Sequence, residues 1–561
     1  MFQNFRLTMT WLHTWFGLVL GFVLMVAFFF GALSVFDREF DRWGIPQTRF
    51  EAQPLPSFDT LLRPVFESIE PSRESIDEMR GRVHGPMPEH FDTVRAWTLY
   101  TTHRDPVMRL NAIYEVPNAR DPDDDVFGSR TIDPRSGAVV PDNQLRIGSQ
   151  FFFPLHYSLQ LHWLDLGEWL VGLAALAMLV ALVSGVVMHR KLFRELFTFR
   201  PDKQLQRSTL DLHNLSGVAA LPFHFMFAFT GLVIMAGVYF PVAHVQLEPL
   251  HEYYEKLEEQ QTGLPHDRAG VAAPLASVDA MVAEARQRWA QRGASGDVGL
   301  LIVRHVGDAN GYVSVFRAGT DRIGLLGEGI HFKASTGEVL YEEPPSSAVG
   351  GVTDFLVGLH LQHFRHWTLR WLYVFGGLLG AVCIATGFIF FIEKRKRQHA
   401  RQGVSGARVV SALAVTFVTG MVIATLSLLV ANRVLPESLT TRELFEQSSF
   451  WGAWLLALMH AFWRTGPVAQ GQRTSAWSEQ CWIIAVMAVL AVVLNWITTG
   501  DHLLHTLAVG YWPVAGIDLA LLTTAAVAVL AANHLRRRAA SPRARGAGVS
   551  EGDPAVGVAH V

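Results

Sequence analysis

Eight stretches of this chain are long and apolar enough to cross a membrane, roughly residues 11–36, 165–189, 213–240, 371–392, 409–431, 448–464, 479–499 and 511–534. A helix needs about 20 mostly apolar residues to traverse the hydrocarbon of a bilayer. There the backbone has no water to bond, so each run reads as a helix that satisfies its own N–H and C=O groups. The stretch 448–464 is the shortest. The composition, 50% hydrophobic and only 17% charged, agrees with an α-helical integral membrane protein of about eight transmembrane helices. The first run is too long for the core of a cleaved signal peptide and reads as a retained helix.

The charges give an orientation. "RKLFRELFTFRPDKQLQR" (190–207) follows the second run, "KRKR" (394–397) the fourth and "RRR" (536–538) the eighth. Basic loops stay on the cytoplasmic side, and all three fall there if both termini are cytoplasmic. The long polar segments 37–160 and 241–355 then lie outside, in the periplasm of a bacterial inner membrane. The tail 536–561 is cytoplasmic, and from about Ala539 its Pro, Gly and Ser read as disordered. A net charge of −3 gives no sign of a nucleic-acid partner. The two cysteines, Cys383 and Cys481, both sit in apolar runs, which argues against a disulfide framework or a thiolate metal site.

The chain also repeats itself. "LHTWFGLVLGFVLMVAFFFGALSVF" from Leu12 parallels "LHNLSGVAALPFHFMFAFTGLVIMA" from Leu212: His13 matches His213, Gly17 matches Gly217 and Gly31 matches Gly231. "LHYSLQLHW" from Leu155 parallels "LHLQHFRHW" from Leu359, pairing His156 with His360, His162 with His366 and Trp163 with Trp367. Later in these runs Ser184-Gly185 resembles Thr386-Gly387. "TIDPRSGAVV" (131–140) and "IHFKASTGEVL" (330–340) each read as strand, Gly turn, strand. The unit is a span, an external α/β insert and a returning span, present twice with the same orientation. Such a parallel repeat has its pseudo-twofold axis along the membrane normal. The organisation is thus a core at 1–400 holding inserts 37–160 and 241–355, then a four-helix membrane region at 409–535.

Symmetry puts matching residues at equal depth. His13 and His213 share a level near the cytoplasmic face; His156 and His360 share one at or beyond the outer face. Neutral imidazoles facing each other across a bundle are what a bis-histidine haem requires. Small residues such as Gly17, Gly217, Gly172 and Gly376 would let the helices adjust around it. A binuclear non-haem site and plain helix–helix hydrogen bonding are the alternatives. His162 and His366, six residues on and about 9 Å further along a helix, are alternative outer ligands. His189, at the inner end of the second run, is open as a competing inner ligand or a propionate partner. His224 lies eleven residues after His213, about 16 Å deeper and nearly on the same helix face. Helix arithmetic sets the two levels about 30–40 Å apart, which is long for one electron hop unless the helices bend or His224 contributes a site between them. Phe151 to Phe153, Trp163, Trp367 and Trp371 read as an interfacial belt or as porphyrin contacts.

"LHTWFGL", "FFFPLHYSLQL", "VSGVVMHRKLFRELFTFRP", "DLHNLSGVAALPFHFMFAFTGL" and "LRWLYVFGGLLGAVCIATGF" resemble the PepSY-associated transmembrane family over about residues 5–400. That family includes iron-regulated inner-membrane ferric-siderophore reductases. The resemblance implies b-type haems, PepSY-like periplasmic inserts and a role in iron release. It marks His13, His156, His189, His213, His224 and His360 as family histidines without giving their pairings. "LHLQHFRHW" departs from it by adding His363 and His366, and the region 409–535 has no counterpart role.

The function expected is therefore an inner-membrane protein with two haem b groups, passing electrons from a quinol or a cytoplasmic reductant to a periplasmic ferric siderophore or other ferric chelate and releasing Fe(II). Trp97, Tyr100 and Phe127 are expected to cradle the chelate. No GxGxxG after a strand and no cysteine cluster marks a dinucleotide or iron–sulfur site. Two rivals stand beside this reading: a transporter or permease, and a PepSY-based regulatory or binding protein without redox activity.

Overall fold

Two of the apolar runs are broken at matching points. Helix Phe5–Val19 meets Gly21–Ser34 at a bend of 61°, and Leu205–Ala219 meets Leu221–Ile234 at 63°. Pro222, in the first turn after the second break, has no N–H to continue the ladder. At the first break Gly21 lies under the Phe388 ring, 3.1 Å from where a Cβ would sit. These features belong to a computed structural model that describes residues 2–101, 104–120, 124–140, 143–188, 199–200, 204–240, 250, 253, 256–257, 259–319, 323–324, 326–345, 347–362, 364–402, 406–465 and 476–540. His189, His363, most of the basic segment 190–207 and nearly all of the C-terminal tail lie outside the described residues.

Among the described residues five helices are long and apolar enough to span a bilayer: Trp163–Met188, Trp367–Arg395, Arg408–Val434, Ala476–Thr499 and Trp512–Arg538. The count rises to seven if each bent pair is one span, against the eight expected from the apolar runs. The stretch that fails is 448–464. It belongs to helix Arg442–Arg464, which carries Arg442, Glu443, Glu446 and Arg464 and so is not apolar along its full length. The chain is a membrane protein with a lipid environment around these helices.

The two polar inserts fold into one body. β1 (Val94–Tyr100), β2 (Met108–Glu115) and β3 (Asp125–Ile132) come from the first; β4 (Val298–Arg304), β5 (Tyr312–Ala318), β6 (Leu326–Lys333) and β7 (Val339–Glu342) come from the second. They form a single antiparallel sheet in the order β3-β2-β1-β4-β5-β6-β7. The inserts join through β1 and β4, where Trp97 faces Val303 and Leu99 faces Leu301. On this sheet pack helix Val278–Gln291 and the helical segment Phe58–Glu67, burying Phe58, Phe66, Trp97, Val282 and Trp289. The two helical segments cap each other. Asp59 accepts from Val278 N and Ser277 Oγ, and Asp279 accepts from Phe58 N and Ser57 Oγ. A carboxylate at a helix N-terminus satisfies orphan N–H groups and meets the positive end of the helix dipole. The Gly turns expected at 131–140 and 330–340 are present, with Gly137 at φ +74° and Gly337 at φ +77°. The first closes with only an isolated bridge, between Ile132 and Val139.

The C-terminal helices share a core with the first bent helix pair: Met25, Val26, Phe30, Phe151 and Phe152 pack with Leu428, Phe450, Ala488 and Ile517. Phe151 and Phe152 are therefore core residues, neither belt nor porphyrin contacts. On the sheet side a buried polar network seals the join. Glu446 accepts from Asn432 Nδ2 at 2.9 Å, Arg442 Nε at 2.9 Å and Leu145 N at 3.1 Å. Trp43 donates to Asp518 at 2.8 Å, and Arg49 donates to Asp501 at 2.7 Å and to Asn495 at 2.8 Å. Removing one partner of such a buried pair strands the other charge. Glu446→Ala is expected to destabilise the fold by about 3–5 kcal/mol, read as an earlier thermal transition in detergent; an unchanged transition would contradict this role.

Candidate haem-binding histidine pairs

The four repeated histidines meet in two pairs. On the side away from the sheet, the His13 and His213 ring centres are 6.1 Å apart and the ring planes nearly perpendicular, at 87°. On the sheet side, those of His156 and His360 are 6.0 Å apart with planes at 32°. Two imidazoles on opposite sides of one metal ion, each with a metal–nitrogen bond of about 2 Å and a ring centre about 1 Å beyond the nitrogen, have centres about 6 Å apart. Both pairs have that spacing.

Each ring is held the same way. His13 Nδ1 lies 3.0 Å from Ala181 O and 3.3 Å from Ser184 Oγ. His213 Nδ1 lies 2.7 Å from Cys383 O, the position equivalent to Ala181. His156 Nδ1 lies 2.8 Å from Ala27 O, and His360 Nδ1 lies 2.8 Å from Thr230 Oγ1. A carbonyl can only accept, so at His13, His213 and His156 the proton sits on Nδ1 and Nε2 keeps its lone pair. This is the second contact that metal-binding histidines usually make, fixing tautomer and ring orientation.

Each ring also lies on a glycine of a neighbouring helix. A Cβ at Gly31 would stand 2.7 Å from His156 Nδ1, and one at Gly231 3.3 Å from His360 Cε1. A Cβ at Gly185 would stand 3.4 Å from His13, and one at Gly387 3.4 Å from His213. The equivalences Gly31–Gly231 and Gly185–Gly387 were visible as a sequence repeat, but their purpose was not. The glycines singled out from sequence serve otherwise. Gly172 packs on Tyr239, Gly217 on Cys383 and Gly376 on Phe223, while Gly17 has no described atom within 4 Å beside it.

The sheet-side histidines are not on long helices. His156 lies in the short helix Phe153–Tyr157, which ends before Leu159 and Gln160, both at positive φ. His360 lies in the last turn of Ala348–Leu361, which ends at Gln362, φ +58°. These breaks turn the chain back into the bundle, so His156 reaches Ala27 and Gly31 within the first bent pair. The level separation expected from straight helices therefore shrinks. Ala27 follows His13 by 14 positions, about 21 Å along a straight helix and less across the 61° bend. The same breaks remove His162 and His366 from the pair. Both are exposed, and His162 Nε2 lies 3.2 Å from Gln160 Oε1. His224 sits between the levels, fully buried, with Nε2 3.3 Å from Gly376 O and its ring 5.3 Å from that of Phe28. Its Nδ1 is buried without a hydrogen-bond partner among the described residues.

A cavity of about 590 Å³ opens between the sheet-side pair and the underside of the sheet. That lies within the range of small-molecule and cofactor sites. Its deep part is apolar (Leu24, Phe28, Met178, Phe227) and its mouth is polar (Asp37, Arg38, Tyr100, Arg104, Arg146). Burial works against the Asp37 carboxylate, but Arg104 and Arg38 beside it outweigh that and hold its pKa below the usual value. Burial drives neighbouring Asp41 the other way, to about 6. Of the aromatics expected to cradle a ligand, only Tyr100 lines the cavity. Trp97 is buried on the opposite, helix-covered face of the sheet against Phe66, and Phe127 is half exposed on β3. Trp163, Trp367 and Trp371 are exposed.

The chain matches the PepSY-associated TM region over residues 10–394. It belongs to that family. It is also 27% identical over 399 residues to an uncharacterised protein of Pseudomonas aeruginosa, covering 67% of this chain and 93% of the relative. Both the paired histidines and the inserts of this family member fall inside the matched range; the last four long helices fall outside it.

Proposed function

We propose that this protein is a b-type haem membrane reductase of the bacterial inner membrane, carrying electrons outward to a ferric siderophore or similar ferric chelate. The observation behind this reading is the pair of histidine pairs, each spaced for one six-coordinate metal, each steadied at Nδ1 and each backed by glycine. Among the described residues no group of three or more His, Cys, Asp or Glu side chains is placed to hold a metal ion. A pair supplies too few donors for a protein-only metal cage but suits a macrocycle that brings four of its own. His13, His213, His156 and His360 are the residues that would hold the haem irons. Haem bound there supplies a reversible Fe(III)/Fe(II) couple at each level.

The residues do the rest. Ala181, Cys383 and Ala27 carbonyls orient Nε2 toward the partner histidine. The bends at Leu20 and Ala220 bring the two levels closer. Phe28 and His224 fill the space between them and keep it dry. Arg38, Arg104 and Arg146 set positive charge at the cavity mouth, where carboxylates of a cofactor or an anionic chelate are favoured. Delivery of one electron there turns Fe(III) into Fe(II), a softer ion that hard oxygen ligands hold less firmly.

The topology that goes with this reading is an eight-span chain, with each bent pair and helix Arg442–Arg464 counted as spans. It has a parallel repeat, cytoplasmic termini and the joint sheet in the periplasm. Reporter fusions are expected to be cytoplasmic-active after Arg200 and Arg397 and periplasmic-active at Asp124 and Gly311; inversion at any one site breaks the scheme. The activity is tested by reducing the purified protein and adding a ferric siderophore with a ferrous chelator. Rapid reoxidation with trapped Fe(II) is expected. Reoxidation no faster than that of free haem in detergent overturns the reductase assignment.

A further inference from the structure

The last four long helices lie beyond the family match, and nothing above gives them a task. They hold a polar cluster on the side away from the sheet. His460 Nε2 lies 2.9 Å from Glu479 Oε2, and Arg464 donates to both Glu479 oxygens, at 2.6 and 3.0 Å. Gln480, fully buried, donates to Ala457 O at 3.0 Å, stands 3.3 Å from His460 Nδ1 and accepts from Thr419 Oγ1 at 2.6 Å. With Gln480 Nε2 donating to Nδ1, His460 carries its proton on Nε2 and donates to Glu479. Ionisable groups within a membrane bundle are costly and mark function more often than structure.

Two further observations say what this cluster serves. It opens to the bundle surface beside an apolar face, where Leu456, Met459 and Trp463 are 65%, 60% and 76% exposed. A molecule dissolved in the bilayer reaches it without entering packed core. From Thr419, which donates to Gln480, a run of packed rings also leads toward the His13–His213 level. The turn Thr416–Gly420 is a π-helix, a form that recurs at functional sites. Its Thr416 carbonyl accepts from Trp454 Nε1 at 3.0 Å. Phe417 lies 5.3 Å from the Trp454 ring and 5.0 Å from Phe22, and Phe22 stacks on Phe388 at 4.4 Å. Phe388 follows Gly387, the residue beneath the His213 ring. The rings are a packed bridge, not redox stations.

We propose that the C-terminal region is the electron-entry module, and that a lipid-soluble hydroquinone is oxidised at His460 and Glu479. This rests on the haem reading given under Proposed function. Oxidation of one hydroquinone breaks two O–H bonds and forms two C=O groups, releasing two protons and two electrons. Glu479, the acceptor of the cluster, takes each proton in turn and passes it to water at the helix end beside Arg464. The electrons would leave singly, to the haem that His13 and His213 would hold, a one-electron acceptor that must pass the first electron on before it takes the second.

The test uses the full chain in lipid nanodiscs. A short-tailed azidoquinone, photolysed and mapped by peptide mass spectrometry, is expected to label Arg442–Arg464 or Ala476–Thr499 near His460. Labelling confined to other helices overturns the site. In rapid mixing with a short-tailed hydroquinone, Glu479→Gln is expected to slow haem reduction by about a hundredfold or more, the usual range for a lost proton acceptor. Reduction by dithionite should be unchanged, and Glu479→Asp should recover part of the rate. An unchanged hydroquinone rate in Glu479→Gln overturns the proposal. If that variant does not fold, His460→Gln is read by the same two rates. Absence of haem from the wild type sinks the reductase reading while leaving the photolabel result to stand or fall alone.

Discussion

Replacing His213 by alanine is expected to abolish one haem signal, and replacing His13 to abolish the same one. Each residue supplies one face of a pair whose ring centres are 6.1 Å apart, so losing either would leave one imidazole where the proposal needs two. The outer signal should persist in both variants, because His156 and His360 are held by Ala27 and Thr230, on other turns of the bundle. Haem quantification with low-temperature spectra of each variant checks this. If His13→Ala and His213→Ala remove different haems, ligation runs between levels and the pairing is wrong. Ser184→Ala is the control. It removes one contact of His13 and leaves the Ala181 carbonyl at 3.0 Å, so haem content should change little.

The second large effect is expected at a residue with no chemistry of its own. A Cβ at Gly31 would stand 2.7 Å from Nδ1 and 2.9 Å from Cε1 of His156, closer than real contacts allow. The ring cannot retreat without giving up its bond to Ala27 O. Overpacking of this kind costs about 1–3 kcal/mol, roughly 5- to 150-fold in the occupancy of the correct geometry. Gly31→Ala should therefore lose the sheet-side haem and slow reoxidation by ferric chelate. At Gly231 the distance is 3.3 Å, so Gly231→Ala should have a milder effect. Gly17→Ala, with no described atom within 4 Å of the added carbon, should have none. Equal effects at all three positions would mean that the glycines serve helix packing rather than the histidines.

How much of this was legible beforehand follows from what a sequence encodes locally. Apolar length marks the spans well, because burial in lipid depends on composition alone. It marks 448–464 least well, because the helix there extends to Arg442 and Arg464 and takes in charges that tertiary partners satisfy. The histidine repeat foretold which rings meet, His13 with His213 and His156 with His360, since equivalent residues sit at equal depth. It did not foretell the depth itself. That depends on Leu159, Gln160 and Gln362 adopting positive φ, and neither leucine nor glutamine announces such a conformation as glycine would. For the same reason the six-residue step from His156 to His162 was read as helix when it crosses a break. The union of both inserts in one sheet was likewise hidden, because β1 and β4 pair across a long stretch of chain, Trp97 facing Val303 206 positions on, and neither strand carries a local sign of its partner. The cluster at His460 and Glu479 escaped notice because its members lie on different helices, with no motif spacing to connect them.

The central claim is that the two histidine pairs hold haem, and the most direct measurement is the reduced-minus-oxidised spectrum of the purified full chain, with haem and iron counted per polypeptide. A low-spin b-type spectrum and one haem for each histidine pair are expected in protein made with ample haem. A featureless difference spectrum, or haem and iron well below one per chain, would contradict it.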